Sequence, residues 1–148
     1  SPAFNTFIAA QINLNCNSML MNGTKIADLV NISGDVHHIF PRAYLKNNGV
    51  TNKTKYNQVA NYIYLDTQVN KAISDDAPSV YFTKAKQQCE TKEIKLGNIS
   101  DADLLAKNLA ENCIPSGIDT MDVSSYDDFL RERRKMMASL IEKYYKGL

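Results

Sequence analysis

The chain has 148 residues, of which 44% are hydrophobic, and it carries 17 basic against 16 acidic side chains. This length and apolar content fit one compact domain that needs neither disulfides nor metals to complete its core. The sequence contains no run of about 18 apolar residues and no basic flank followed by an apolar export segment. We therefore predict a single soluble domain over residues 1–148, and the start without methionine indicates a piece of a larger protein.

Three cysteines, Cys16, Cys89 and Cys113, are far apart along the chain. Their odd number and the absence of a CxxC pair argue against a disulfide framework and against a cysteine zinc site. Buried reduced thiols and a cytoplasmic location are the prediction.

Charge is distributed unevenly along the chain. Residues 36–71 carry five cations and one acid, residues 96–128 carry seven acids and one lysine, and residues 129–148 are basic again. The first basic stretch can attract a polyanion such as nucleic acid, although solvated surface is the commoner explanation for a single charged run.

The first half of the chain alternates helical and extended patterns. Apolar spacing predicts a helix over Phe4 to Ile12. After a turn at Asn22-Gly23 and a polar loop over Asn31 to Gly34, residues 35–40 are typical of a short strand before Pro41. Composition predicts an exposed loop over Lys46 to Asn57 and a second strand over 59–65.

Helices dominate the second half. Asp66 is a predicted N-cap for a helix that carries Val69, Asn70 and Ile73, and another helix is predicted from about Pro78 to Cys89. A capping-box pattern over 100–103 opens a helix with Leu104, Leu105 and Leu109. The last predicted helix covers about 125–145. Its expected buried residues are Phe129, Met136, Met137, Leu140, Ile141 and Tyr144, and its expected exposed residues are Arg131, Arg133 and Arg134.

The adjacent pair His37-His38 contains the only histidines of the chain. An imidazole with a pKa of about 6.5 is largely neutral at physiological pH, where it accepts protons and binds metals. By itself the pair also fits hydrogen-bonded core residues or solvated loop residues.

The spacing to two asparagines narrows these alternatives. A strand with His37-His38, a basic loop, a strand near Asn61 and a helix with Asn70 resemble the HNH endonuclease motif of the ββα-metal fold. From Asp35 to about Phe82 the chain looks most like the HNH module at the C-terminal end of Gmr-type modification-dependent restriction nucleases.

The resemblance implies an α+β fold. Its ββα-metal core, a two-stranded hairpin and a helix over about 35–75, would be surrounded by further helices. It also implies the cleavage module of a restriction or phage-defence nuclease, with DNA as substrate. An N-terminal recognition or NTPase-type domain of the same polypeptide or system is the expected partner.

The resemblance also implies residue roles, in which His37 and Asn70 bind one divalent cation, His38 is the general base and Asn61 orients the loop and the base. Phosphodiester hydrolysis needs such a base and a cation that neutralises charge on the phosphoryl oxygens. Mg²⁺ or Mn²⁺ is expected, with Ni²⁺ or Zn²⁺ as alternatives. Asp35 is either a further ligand on the strand face of His37 or an ordinary strand-end residue.

Two cations are predicted to grip phosphates beside the proposed centre, Arg42 and Lys71. Neighbouring strand residues point to opposite faces, so His37 and His38 meet at one phosphate only if the chain bends there. Three hypotheses result. They are a metal-dependent DNA endonuclease, a non-catalytic nucleic-acid-binding module with the same fold, and a structural domain whose histidines bind metal for stability.

Overall fold

The computed structural model describes residues 1–32 and 35–148, and the elements of these residues confirm a mixed α+β architecture. Eight α-helices surround one two-stranded antiparallel sheet in the described residues. The helices are α1 (Pro2–Asn13), α2 (Ile26–Ile32), α3 (Arg42–Asn47), α4 (Lys53–Tyr56), α5 (Thr67–Ile73), α6 (Pro78–Thr91), α7 (Ala102–Glu111) and α8 (Tyr126–Lys146). The strands are β1 (Val36–His38) and β2 (Tyr62–Tyr64).

The sheet is a short ribbon in which His37 pairs with Ile63 and His38 pairs with Tyr62. One further hydrogen bond, from Ile39 N–H to the Asn61 carbonyl at 2.9 Å, extends the ladder beyond β1. Both strands are shorter than predicted, because the chain bends at residues 39–40 before Pro41 and a 3₁₀ turn occupies Val59–Asn61.

Helix α5 follows β2 almost directly, as the sequence predicts. The Asp66 side chain accepts hydrogen bonds from the N–H groups of Gln68 and Val69 at 2.9 and 3.3 Å. These bonds satisfy two of the free donors at the helix start. The strands β1 and β2 and the helix α5 therefore occur in the predicted order along the chain, with α3 and α4 between the two strands.

The predicted loop over 46–57 is wrong in part, because it contains the end of α3 and all of α4. Leu45 and Tyr56 are buried and anchor these two helices to the core. Asn52 caps α4 by accepting from Thr54 N–H at 2.9 Å. The polar composition of this segment gave no signal for α3 and α4, which are stabilised by buried side chains and, for α4, by the Asn52 cap. Of the polar loop predicted over 31–34, residues 31 and 32 belong to α2, and residues 33 and 34 lie outside the described residues.

Helices α1, α6 and α8 supply much of the core around the ribbon. Phe40, which follows β1, packs against Phe129 of α8 with ring centroids 4.8 Å apart. Phe7 of α1 and Tyr81 of α6 are also almost fully buried. The start of the basic segment is therefore fixed against the longest helix of the described chain.

The three cysteines are buried and free, as predicted. Burial raises the pKa of Cys16 and of Cys113 to about 11. Thiols with raised pKa values are poor nucleophiles at neutral pH. Within the described residues, no helix combines the length and the apolar character that a membrane span requires.

Helix α8 confirms the predicted last helix, but the burial of its residues differs from the prediction. Phe129 and Met137 are buried as expected, whereas Met136, Leu140, Ile141 and Tyr144 are only half-buried and the predicted exposed Arg133 has 1% of its surface accessible. Helix α7 begins one residue later than the capping-box pattern indicates, with Asp101 as its N-cap.

Candidate active site around His38

The His38 ring is half-buried and is held at one nitrogen. Its Nε2 lies 2.9 Å from Oδ1 of Asn57. The rings of Tyr62 and Tyr56 meet it edge-on, with centroids 5.4 and 6.5 Å away. Among the described residues, Nδ1 of His38 has no hydrogen-bond partner. One nitrogen of a fixed imidazole is therefore available to a substrate or a water molecule.

The electrostatic surroundings favour the neutral form of this ring. Burial lowers the pKa of His38, the hydrogen bond to Asn57 raises it, and the charges of Arg42 and His37 lower it further. The net change is downward, so the neutral form of His38 predominates at pH 7. A neutral imidazole can accept a proton.

Asn61 is fully buried and joins the end of β1 to the end of α4. Its Oδ1 accepts from Phe40 N–H at 2.8 Å, and its Nδ2 donates to the carbonyls of Phe40 and Tyr56 at 3.0 and 3.4 Å. Because Asn57 follows Tyr56, Asn61 fixes the residue that holds His38. The Asn61 side chain is therefore bonded to the loop and not to the His38 ring, and its orienting role stays a prediction.

Arg133 of α8 holds both neighbours of Asn61. Its Nη1 donates to the carbonyls of Ala60 and Tyr62 at 3.0 and 2.7 Å, and its Nη2 donates to the carbonyl of Asn112 at 3.3 Å. Burial lowers the pKa of Arg133 to about 10, so the group stays charged at pH 7. The guanidinium therefore locks the turn that carries Asn61.

Sequence reasoning missed Arg133, although a signal was present. Phe129, Arg133 and Met137 are spaced by four residues and lie on one face of α8. An arginine on an apolar helix face can be buried when backbone carbonyls replace the water molecules that accept its hydrogen bonds. Three carbonyls accept from Arg133 in this way.

Two tyrosines fix the same region from other helices. Tyr81 of α6 donates its hydroxyl to the carbonyl of Ile39 at 2.6 Å, and Tyr126 of α8 donates to the carbonyl of Lys55 at 2.7 Å. The strand end and the helix α4 on either side of His38 are thus tied to separate helices. A sequence pattern carries no signal for such long-range bonds.

His37 precedes His38 in the ribbon, where the pairing is regular from Val36 to His38. Adjacent strand residues alternate between faces, but the charges of His37 and Arg42 both act on His38, so the two rings lie near each other. The bend needed for both rings to meet one phosphate comes after the pair, at residues 39–40. Burial lowers the pKa of the half-buried His37, the nearby Asp35 carboxylate raises it, and Arg42 lowers it.

The other four predicted site residues make no hydrogen bond to either histidine within the described residues. Asp35 and Arg42 are exposed, and their charges act on His37, so both lie near it. Asn70 is half-buried on α5, and its side-chain amide makes no hydrogen bond within the described residues. Lys71 is exposed on the same helix. In the described part of the chain, neither Asn70 nor Lys71 is hydrogen-bonded to a histidine.

The donor set limits the metals that this site fits. Among residues 1–32 and 35–148, no three His, Cys, Asp or Glu side chains converge. A structural zinc site needs four such nitrogen or sulfur ligands. A hydrated Mg²⁺ or Mn²⁺ needs only one or two protein ligands, and the donor atoms of Asp35, His37 and Asn70 are of the types that such a cation accepts. The described residues do not fit a structural zinc site, and the binding of a cation by these three side chains stays a prediction.

Comparison of the chain with models of protein families, with curated proteins and with solved structures finds no match. The likeness to HNH nucleases therefore depends on the motif residues and their order along the chain.

The basic stretch around the histidines presents unpaired cations. Within the described residues, none of its five cations forms an ion pair, and all five are exposed. These cations are Arg42, Lys46, Lys53, Lys55 and Lys71. Six other cations, on α6, α8 and the segment after α6, are each paired with a carboxylate. The Lys46 ammonium lies 5.3 Å from the centre of the Tyr56 ring, and the centre of the same ring is 6.5 Å from that of His38.

Proposed function

We propose that this chain is a metal-dependent DNA endonuclease domain of the ββα-metal type, which hydrolyses phosphodiester bonds with His38 as general base. One observation carries the proposal. The His38 imidazole is half-buried, its pKa is lowered, Asn57 holds its Nε2, and its Nδ1 has no partner among the described residues. A ring held in this way is arranged to accept a proton from an attacking water.

The residues divide the work. Nδ1 of His38 takes a proton from the water whose oxygen bonds to phosphorus, while Nε2–H stays hydrogen-bonded to Asn57 Oδ1. The bond from phosphorus to the leaving oxygen breaks, and that oxygen takes a proton from solvent. Asn61 and Arg133 do not contact the reacting atoms. They hold the loop that carries Asn57, so that little reorganisation is needed when the reaction occurs.

His37 and Asn70, with Asp35 near His37, would hold one divalent cation. When bound, such a cation neutralises charge on the phosphoryl oxygens. The lowered pKa of His37 suits a ligand, because a metal binds the neutral imidazole. The amide of Asn70 has no hydrogen bond within the described residues, so a ligand would not have to displace one.

DNA is the proposed substrate because the cations around the site lack carboxylate partners. Duplex DNA carries about one negative charge per 1.7 Å of its axis, and unpaired Lys and Arg side chains gain counterion release on binding it. Arg42 and Lys71, as predicted, and Lys46 beside Tyr56 are the proposed phosphate contacts. From the motif resemblance we also propose that the chain is the cleavage module of a larger restriction or defence nuclease. A recognition or NTPase-type domain would belong to the same polypeptide or system.

The test is incubation of the domain with supercoiled plasmid and with Mg²⁺, Mn²⁺ or Ni²⁺, beside a His38→Ala variant. We expect nicked or linear plasmid with at least one metal and a loss of about 100-fold or more in the variant. Lys107→Ala, which removes an exposed cation from the acidic stretch, is the control and should cleave like the wild type.

Two results contradict the proposal. One is the absence of cleavage with every metal, and the other is equal cleavage by His38→Ala. DNA binding without cleavage would instead support the non-catalytic binding module. A metal-dependent melting temperature without DNA affinity would support the structural metal hypothesis, which the small donor set disfavours.

A further inference from the structure

We infer that Asn57 is a positioning residue that fixes the tautomer of His38, with the proton on Nε2 and the lone pair on Nδ1. The catalytic part of this inference rests on the proposed nuclease function, whereas the tautomer is a property of the metal-free protein. The observation is the 2.9 Å separation between His38 Nε2 and Asn57 Oδ1. A carboxamide oxygen only accepts, so the nitrogen facing it must carry the proton.

The loop geometry keeps this oxygen in place. Asn57 ends α4, where its N–H donates to the carbonyl of Lys53 at 2.9 Å. The carbonyl of the preceding Tyr56 accepts from the buried Asn61 amide, and Asn61 N–H donates to the carbonyl of Gln58 at 2.8 Å. Tyr56 and Gln58, the neighbours of Asn57, are therefore both hydrogen-bonded to Asn61. These bonds fix the backbone at Asn57, whose side chain is bonded to the His38 ring.

The direction of the hydrogen bond decides whether His38 can act as a base. If the Asn57 amide nitrogen faced the ring, Nε2 would accept and Nδ1 would carry the proton. The nitrogen without a partner would then be unable to take a proton from water. With the oxygen facing the ring, the same bond also stabilises the imidazolium that forms when Nδ1 is protonated.

Because Asn57 is exposed, a substitution there can test its positioning role without a large change in the free energy of unfolding. Asn57 lies on the surface, so we expect its loss to leave the free energy of unfolding nearly unchanged. Asn48 offers a matched control, because it also ends a short helix of the basic segment and is exposed. Its side chain bonds the Tyr44 carbonyl at 2.8 Å and not a histidine.

The first experiment is nuclear magnetic resonance of the ¹⁵N-labelled, metal-free domain at pH 8, where both histidines are neutral. Long-range ¹H–¹⁵N spectra distinguish a protonated from a bare ring nitrogen, and a His37→Ala variant assigns the His38 signals. We expect His38 with the proton on Nε2, and a mixture of tautomers in Asn57→Ala. A proton on Nδ1 in the wild type would overturn the inference.

The second experiment is plasmid cleavage at saturating metal by Asn57→Ala, Asn57→Asp and Asn48→Ala. We expect kcat of Asn57→Ala to fall about 10–100-fold with an unchanged KM, because Asn57 acts through His38 and not on DNA. Asn57→Asp should retain most of kcat, since a carboxylate also accepts from Nε2–H, and Asn48→Ala should match the wild type. A wild-type kcat in Asn57→Ala would overturn the inference. A wild type without any cleavage would overturn the proposed function, and the spectra would then decide the tautomer alone.

Discussion

The two halves of the candidate site are held very differently. The base side consists of His38, Asn57, Asn61 and Arg133. His38 is hydrogen-bonded to Asn57, and Asn61 and Arg133 are bonded to backbone groups of the adjoining turns, at distances between 2.7 and 3.4 Å. The proposed metal side consists of Asp35, His37 and Asn70, and within the described residues no hydrogen bond joins these three side chains. Hydrogen bonds within the protein therefore hold the side chains of the base side in place. Within the described residues, no such bonds hold the three side chains of the proposed metal side.

The difference follows from what each half must do. A general base contributes most when its ring is oriented before the substrate arrives, because no free energy is then lost on ordering it. A weakly held hydrated cation tolerates ligands that adjust around it. We therefore expect substitutions of the buried residues Asn61 and Arg133 on the base side to affect stability and rate together, and metal-side substitutions to affect metal affinity alone.

The largest effect is expected from Arg133→Met on the base side. This change leaves the carbonyls of Ala60, Tyr62 and Asn112 without their donor, and each unsatisfied buried group costs about 1–3 kcal/mol. We expect the free energy of unfolding to fall by about 3 kcal/mol in urea denaturation. Arg134→Met, the same change at the exposed neighbour, should stay within about 0.5 kcal/mol of the wild type. Equal effects of the two variants would show that Arg133 does not hold the turn.

Asn61→Ala should give the next largest effect. It removes three side-chain hydrogen bonds in the interior and should lower the free energy of unfolding by about 2 kcal/mol. Asn108→Ala is the matched control, because the buried Asn108 side chain also makes three hydrogen bonds, to backbone groups of Leu20, Ser18 and Met21. Both variants should lose similar stability, but only Asn61→Ala should lose kcat at a temperature where both are folded. Equal kcat losses would mean that Asn61 acts on stability alone.

On the metal side, His37→Ala should leave stability within about 0.5 kcal/mol, because the ring is half-buried and without hydrogen bonds in the described residues. The Mn²⁺ concentration that gives half-maximal cleavage should rise at least about 10-fold. Titration of activity with Mn²⁺, beside urea denaturation of the metal-free domain, separates the two quantities. An unchanged Mn²⁺ requirement would remove His37 from the metal side.

The smallest expected effect is the pH dependence of stability. Folding lowers the pKa of both histidines below 6.5, so the unfolded chain binds protons first as the pH falls. The stabilisation is complete above about pH 6.5 and is lost as the pH drops through the folded pKa values. Urea midpoints at pH 7.5 and 5.5 should therefore show a decrease that His37→Asn and His38→Asn each reduce. An equal decrease in the double variant would assign the effect to other groups.

Local signals in the sequence predicted the elements that frame the site. The Asp66 cap and the apolar spacing of Val69 and Ile73 located α5, and the β-branched and aromatic run located β2. Each of these signals depends on residues a few positions apart, so tertiary contacts were not needed to detect them.

Long-range contacts account for what the sequence did not predict. Helix α4 was taken for a loop because its composition is polar, although Tyr56 at its end is buried. The pairing of Asn57 with His38 spans 19 residues, and the bonds of Arg133 to the Asn61 turn span more than 70. Nothing in the local sequence of a polar residue specifies a partner at that distance.

Chemical rescue of His38→Gly tests the general-base assignment most directly. Removal of the ring leaves space beside Tyr62 and Tyr56 for a free imidazole to enter. We predict that His38→Gly is inactive with Mn²⁺ and plasmid, and that added imidazole restores cleavage in proportion to its concentration. Cleavage by His38→Gly at the wild-type rate, with or without imidazole, would contradict a role for His38 as the base.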